Sequence, residues 1–416
     1  MAIVSSQQPV NAALTDNNKG NYTPALISLA VLYFMMGFIT CMNDTLVPFF
    51  KKGFTLNYSQ SSLVQVYFFL TYGIMSIPAG KIVERIGFKN GMVLGFSVAA
   101  IGALLFYPAS VWHQYNLFLA ALFVVAIGIV LLQVAANPYI TVLGPAKTAS
   151  SRLTLIQGVG SIGTTVAPVF GAYFILSRLQ TSDAPSEAVR FPYLGIAALL
   201  IIIAVIVYNL SLPVISSSTD TTGTAARSEG SVFSFRNLNF GIIGIFMYVG
   251  AEVSIGTYLT NYISDTLQIS VNDANSYVAF YWGSMLVGRL IGSYLLKVIK
   301  PPVVLSWCAV MAVVLILISI NSAGSTAVWS MIAVGLCNSI MFATIFSLSV
   351  SGLKSFTTRA SGLLSTAIAG GAIVSFAQGA LKDHYAWNIA FILPLLCYLY
   401  ILFYGLNGYK SKFMEQ

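Results

Sequence analysis

Charge is what this chain has least of. Only 8% of its 416 residues are Asp, Glu, Lys or Arg, against about 25% in soluble domains. With 57% apolar residues and a mean hydropathy of +0.84, this excludes a soluble globular chain and predicts an integral membrane protein. Histidine is nearly absent: His113 and His384 are the two, both in predicted external loops. Cys41, Cys308, Cys337 and Cys397 are scattered singly through apolar runs. Their spacing suggests neither a disulfide framework nor a metal-binding cluster, and they are read as small core residues. No HExxH, Ser/His pair or paired carboxylates within one helix is found, which leaves a membrane-bound enzyme without a constellation to work with.

What is present is a series of apolar runs. A spanning helix needs about 20 apolar residues, and twelve such runs are read: 25–48, 60–82, 91–109, 116–142, 153–178, 191–213, 238–264, 274–297, 302–320, 327–350, 360–381 and 387–406. The predicted fold is an all-α membrane protein of two pseudo-symmetric six-helix bundles. Residues 1–23 form a polar tail without the apolar core of a signal peptide. The first bundle covers 24–213 and the second 237–406. Between them 214–236, rich in Ser, Thr and Gly, reads as a central cytoplasmic loop, and 407–416 is a second short tail. A transport-dead sensor would carry a longer cytoplasmic extension than these tails offer.

Orientation follows from the basic residues. With the N-terminus inside, fourteen Lys and Arg fall on the cytoplasmic side and five outside (Lys51, Lys52, Arg178, Arg190 and Lys382), with Arg289 inside helix 8. Both termini are therefore expected in the cytoplasm. The net charge of +8 is topological and gives no reason to invoke nucleic acid.

The halves echo each other. Sliding one over the other by 207–208 positions matches Gly80 with Gly288, Gly144 with Gly352, Arg152 with Arg359, Gly163 with Gly370 and Gly171 with Gly379. The same shift sets Asp44 against Glu252. Two equivalent halves around a midplane site is the architecture of a rocking transporter, and favours alternating access over a channel.

Asp44 is the residue that composition makes conspicuous. It ends the run LISLAVLYFMMGFITCMND, where an acid costs roughly 2.5–3.5 kcal/mol on insertion scales. Acids kept at such positions mark ion pathways or ligand sites. Asn43 and Thr45 extend the polar island and Pro48 follows. In helix 4, LLQVAANPYITVLG places Gln133 and Asn137 on one face, and Pro138 frees a backbone carbonyl. Such amides suit a neutral, hydroxyl-rich ligand because they both donate and accept; they suit interhelical hydrogen bonds as well. Gln157 in helix 5 precedes Gly158, Gly160 and Gly163, a stripe for close packing, and is open to either role. Helix 7, YVGAEVSIGTYLTNYIS, carries Glu252 one turn after Tyr248. Arg289 is a possible structural partner for Glu252, which otherwise serves coupling. Gln65 and Asn338 complete the candidate sugar ligands, and Tyr72, Tyr248 or Trp282 would give the ring a flat apolar face.

Between helices 2 and 3 runs Gly80-Lys-Ile-Val-Glu84-Arg85-Ile-Gly87-Phe-Lys89. Gly80 permits close helix approach, Gly87 a tight turn, and the charges can latch neighbouring helix ends. This string resembles the cytoplasmic loop of the major facilitator superfamily, G-x-x-x-D-R-x-G-R-K, with Glu for Asp. Its counterpart Gly292-Ser-Tyr-Leu-Leu-Lys297 lacks the acid.

Together CMNDTLVPFFKKGFTL, SLVQVYFFLTYGIMSIPAG, LLQVAANPYITVLG, SRLTLIQ, YVGAEVSIG and GRLIGS resemble the fucose–galactose–glucose/proton symporters of that superfamily, glucose/galactose type, from about residue 25 to 406. The resemblance implies a twelve-helix monosaccharide symporter of the bacterial inner membrane, working as a monomer without a cofactor beyond the co-transported proton. Fucose/proton symporters of the family use an acid in helix 1 and another in helix 4. The first maps onto Asp44, and the second onto Gln133, an amide here. That departure favours an aldohexose over L-fucose. Sodium-coupled relatives keep Na+ open as the alternative ion, and uncoupled transport of fucose, an amino sugar or another polar solute as the alternative function.

Overall fold

The computed structural model describes residues 23–54, 63–176, 185–210 and 231–410. Helix α1 is Thr23–Gly53. Leu63–Leu104 is a single helical stretch broken at Gly87, giving α2 (63–86) and α3 (88–104). Gly87 has φ 83° and ψ 164°, a backbone geometry only glycine adopts without strain. α4 is Tyr115–Val142, α5 Ala149–Gly171 and α6 Arg190–Asn209. The second half starts with α7 (Arg236–Leu267), α8 (Val271–Val298) and α9 (Pro301–Asn321). α10 runs Gly324–Val350, interrupted after Asn338. α11 is Lys354–His384, with a tight turn at Ala367–Ala369, and α12 is Trp387–Gly408.

Among the described residues, ten stretches are apolar and long enough to cross a membrane unaided. One of them, Tyr67–Val111, contains both α2 and α3. α8 is not in that set, because Arg289 and the polar first turn (Asn272, Asp273, Asn275) dilute it. Its 28 residues still reach about 42 Å at 1.5 Å per residue. Ten, plus one for the shared stretch, plus α8, makes twelve.

Several ends differ from the hydropathy reading. α1 continues through Pro48 to Gly53, so Lys51 and Lys52 form its last turn instead of a loop. Pro48 has no N–H, which leaves the carbonyl of residue 44 without its helical donor. α3 ends at Leu104, followed by a short turn, Phe106–Val111. α5 begins at Ala149 and gives way to a wider turn after Gly171. His384 closes α11, and His113 stacks on Phe54 with ring centroids 4.5 Å apart. Of the central loop, 214–230 lies outside the described residues, and Arg236 already belongs to α7.

Small residues set the helix crossings. A Cβ on Gly37 of α1 would collide with the Gly160 carbonyl of α5. The halves meet along α2 against α11 and α5 against α8. Gly80 and Gly362 approach so closely that a Cβ on Gly80 would lie 3.4 Å from the Gly362 Cα. Ser361 Oγ donates to the Val134 carbonyl at 3.1 Å, and Ser151 Oγ to the Ser293 carbonyl at 2.5 Å. These contacts lie toward the end that carries the Gly80–Lys89 loop, which we call the basic end.

Candidate functional site

The first half brings its polar groups together through Tyr33. This residue is buried in α1, where its carbonyl oxygen would sit 3.1 Å from a Cβ on Gly160 of α5. Its hydroxyl donates to Asn137 Oδ1 on α4. This one residue thus meets α4 through its hydroxyl and α5 through its backbone. Asn137 Nδ2 is left buried with no hydrogen-bond partner among the described residues, as are Gln133 Oε1 one turn earlier and Gln157 Oε1 on α5. Tyr72 is buried and packs against Phe68. The side chains of Asn43, Asp44 and Gln65 lie outside the described residues. Position 44 follows Tyr33 by eleven residues, close to three turns at 3.6 per turn, so it shares the Tyr33 face of α1.

In the second half a hydrogen-bonded chain crosses four helices. Tyr398 of α12 donates to Asn338 Oδ1 at 2.7 Å, and Asn338 Nδ2 donates to the Tyr281 hydroxyl at 2.9 Å. Tyr281 in turn donates to the Glu252 carbonyl at 3.2 Å. Tyr248 donates to Glu252 Oε1 at 2.8 Å. Asn338 and Tyr248 are both buried, and Asn338 has both ends of its amide engaged. Tyr248 therefore presents no open ring face. Trp282, 47% exposed, retains a free face; its ring covers Gly256 of α7.

Arg289 joins the two layers. It projects from α8 beside Gly158, whose Cβ would lie 3.6 Å from that of Arg289, and its Nη1 donates to Ser161 Oγ on α5. Its Nε is buried and unpartnered among the described residues. The ion pairs within 4.0 Å among the described residues are Arg190–Glu187 and Arg359–Glu84. Glu252 and Arg289, on the adjoining helices α7 and α8, make no ion pair.

At the basic end Arg359 Nε meets Glu84 Oε2 at 2.8 Å across the halves. Arg152, its repeat counterpart, has no such acid to meet, because the Gly292–Lys297 string carries none. It caps α4 instead, donating to the carbonyls of Ile140, Thr141 and Pro145. Lys89 lies over the Tyr208 ring at 5.8 Å, and Arg85 is exposed.

The model of the Major Facilitator Superfamily matches residues 29–376. The chain belongs to that superfamily. It is 50% identical over 399 residues to a glucose/galactose transporter of Brucella abortus, covering 95% of this chain and 96% of that protein. An L-fucose-proton symporter of Escherichia coli K12 is 31% identical over 430 residues, with 96% and 97% covered. A solved structure of FucP, a Major Facilitator Superfamily transporter in the outward conformation, superposes with a TM-score of 0.85 at 30% identity, over 93% of this chain and 99% of that one. Within the superfamily the chain falls in the fucose–galactose–glucose/proton symporter family.

Sequence reasoning passed over Tyr33, Ser161, Tyr281 and Tyr398, the residues that organise the site. Tyr33 had a usable signal, its three-turn spacing from Asp44. The others carry none locally, since their partners on other helices lie 29 to 128 residues away.

Proposed function

We propose that the chain carries a neutral monosaccharide, an aldohexose such as glucose or galactose, together with a proton across the bacterial inner membrane by alternating access. The observation that carries this reading is the set of buried, unpartnered amide atoms on α4 and α5: Gln133 Oε1, Asn137 Nδ2 and Gln157 Oε1. Each such atom costs about 1–3 kcal/mol while unmade, so a ligand that satisfies them is favoured. Carbonyl acceptors and an N–H donor match hydroxyl groups, which do both. The names of the relatives, glucose/galactose transporter and L-fucose-proton symporter, support the same ligand class.

With the basic end taken as cytoplasmic, the contacts around Glu84–Arg359 and Ser151–Ser293 close the inside, and the site opens outward. Asp44 is the coupling group. It is ionised while its surroundings are wet, and desolvation on closure favours the protonated form, so occlusion is favourable only with the proton aboard. A proton crossing 100 mV supplies about 2.3 kcal/mol, or roughly 40-fold accumulation at 1.4 kcal/mol per decade. One proton per sugar is enough. Glu252, held by Tyr248, has a lesser part in coupling, and Trp282 offers the ring its apolar face. The site residues supply this without any further cofactor.

Uptake by proteoliposomes across a panel of glucose, galactose, fucose, mannose and N-acetylglucosamine tests the reading. An imposed inward proton gradient is expected to drive uptake of an aldohexose in sodium-free buffer. Uptake that requires sodium and ignores the proton gradient would replace the ion assignment, and uptake of none of the sugars would overturn the substrate class.

A further inference from the structure

Arg289 is held in an arrangement that leaves it two partners, one in each half. Its guanidinium carries five donors and a permanent charge, yet the bond it makes across the halves is to a neutral hydroxyl, Ser161 Oγ. Its own half contains one acid away from the helix ends among the described residues, Glu252. The others, Asp265, Asp273 and Asp383, sit in terminal turns of α7, α8 and α11. Glu252 is meanwhile occupied by the Tyr248 hydroxyl at 2.8 Å and makes no ion pair with Arg289.

Rigidity decides which of these contacts a rocking motion changes. The backbone of Glu252 is tied to α8 through Tyr281, and Tyr281 to α10 and α12 through Asn338 and Tyr398. Arg289 lies eight residues after Tyr281 on the same helix. Glu252 and Arg289 therefore move as one body, whereas Ser161 belongs to the other. Ser161 is also the deepest of the contacts along α5, twelve residues from its start at Ala149, about 18 Å at 1.5 Å per residue. When α5 and α8 part, Ser161 keeps its bond to the Gln157 carbonyl at 3.1 Å, while Arg289 loses its acceptor.

We propose that Arg289 is an exchangeable gating cation: pledged to Ser161 while the halves are closed at the basic end, it swings to Glu252 when they separate. The exchange keeps a half-buried charge partnered in both states, and so sets the ratio between them. This rests on the alternating-access reading above, but concerns the protein's conformations and not its sugar.

The test measures distances between spectroscopic labels carried on non-natural residues at the exposed positions 147 and 354, one in each half near the basic end, without sugar and in a lipid bilayer. Ser161→Ala is expected to raise the ratio of long to short distances about tenfold. Glu252→Gln is expected to lower it by a similar factor, and Arg289→Lys to stay near the parent. Tyr248→Phe, a milder change that frees the carboxylate, is expected to raise it. Ser161→Ala and Glu252→Gln shifting the same way, or neither shifting, would overturn the exchange. So would a long-distance population lost in Asp44→Asn and kept in Glu252→Gln, since Asp44 would then be the second acceptor. If sugar still moves the parent between distances in those cases, alternating access stands without Arg289. A single distance in every variant, with and without sugar, would overturn both.

Discussion

The Tyr33 hydroxyl of α1 donates to Asn137 Oδ1 of α4, across 104 residues of sequence. The bond leaves the amide nitrogen of Asn137 as the free end of the side chain and fixes its direction. Tyr33→Phe removes the bond and keeps the ring. The amide is then free to turn, and sugar KM is expected to rise about tenfold, 1.4 kcal/mol per decade. The melting temperature in detergent should stay within a few degrees. An unchanged KM would detach Tyr33 from the site.

Asn338 invites the opposite test. Both ends of its amide are used within the second half, by Tyr281 and Tyr398. Asn338→Ala would strand the buried Tyr398 hydroxyl, at about 1–3 kcal/mol, and take from Tyr281 the bond that it accepts. A clear loss of thermal stability is expected, with near-parent KM in the protein that folds. A raised KM at unchanged stability would make Asn338 a sugar ligand instead.

The crossing of α1 and α5 depends on the absence of side chains. Gly37→Val places its Cβ against the Gly160 carbonyl, and overpacking of this kind costs about 1–3 kcal/mol. Gly195 is the control, because a Cβ there meets nothing within 4 Å. Gly195→Ala should be neutral or slightly stabilising, as alanine favours the helix by up to about 1 kcal/mol. Thermal unfolding in detergent reads both, and equal effects at the two positions would contradict the close crossing.

The Glu84–Arg359 pair sits where water reaches it, its side chains 27% and 54% exposed. Pairs of this kind contribute between nothing and about 1 kcal/mol and weaken with salt. Glu84→Gln is therefore expected to change the outward-to-inward ratio less than fivefold, and less still in high salt. A larger, salt-independent change would mean that the pair acts as a buried latch.

Much of the architecture was legible because membrane insertion writes it into composition. Twelve apolar runs, the glycine at 87 and the repeat of Arg152 with Arg359 follow from hydropathy, turn geometry and duplication. The divergence of those two arginines is legible only once the folded ends are seen: one has Glu84 to meet, and the other has a string without an acid and caps α4. α8 is read as the run 274–297, yet it is the weakest of the twelve, because Arg289 and its polar first turn dilute it. Among the candidate site residues, Gln133, Asn137 and Gln157 stand out in the sequence because amides are rare in such runs. Asn338 was chosen on the same rule, and the fold spends it on Tyr281 and Tyr398. Partners more than fifty residues away leave no periodicity to read, which hides the role of Ser161; Tyr248 bonds Glu252 only four residues on, a spacing that the sequence does show.

Asp44 carries the central assignment, and Asp44→Asn in proteoliposomes tests it most directly. Uphill aldohexose uptake under an inward proton gradient should be abolished, while exchange of labelled for unlabelled sugar at equal concentrations persists. Accumulation by Asp44→Asn equal to the parent would contradict proton coupling through this residue.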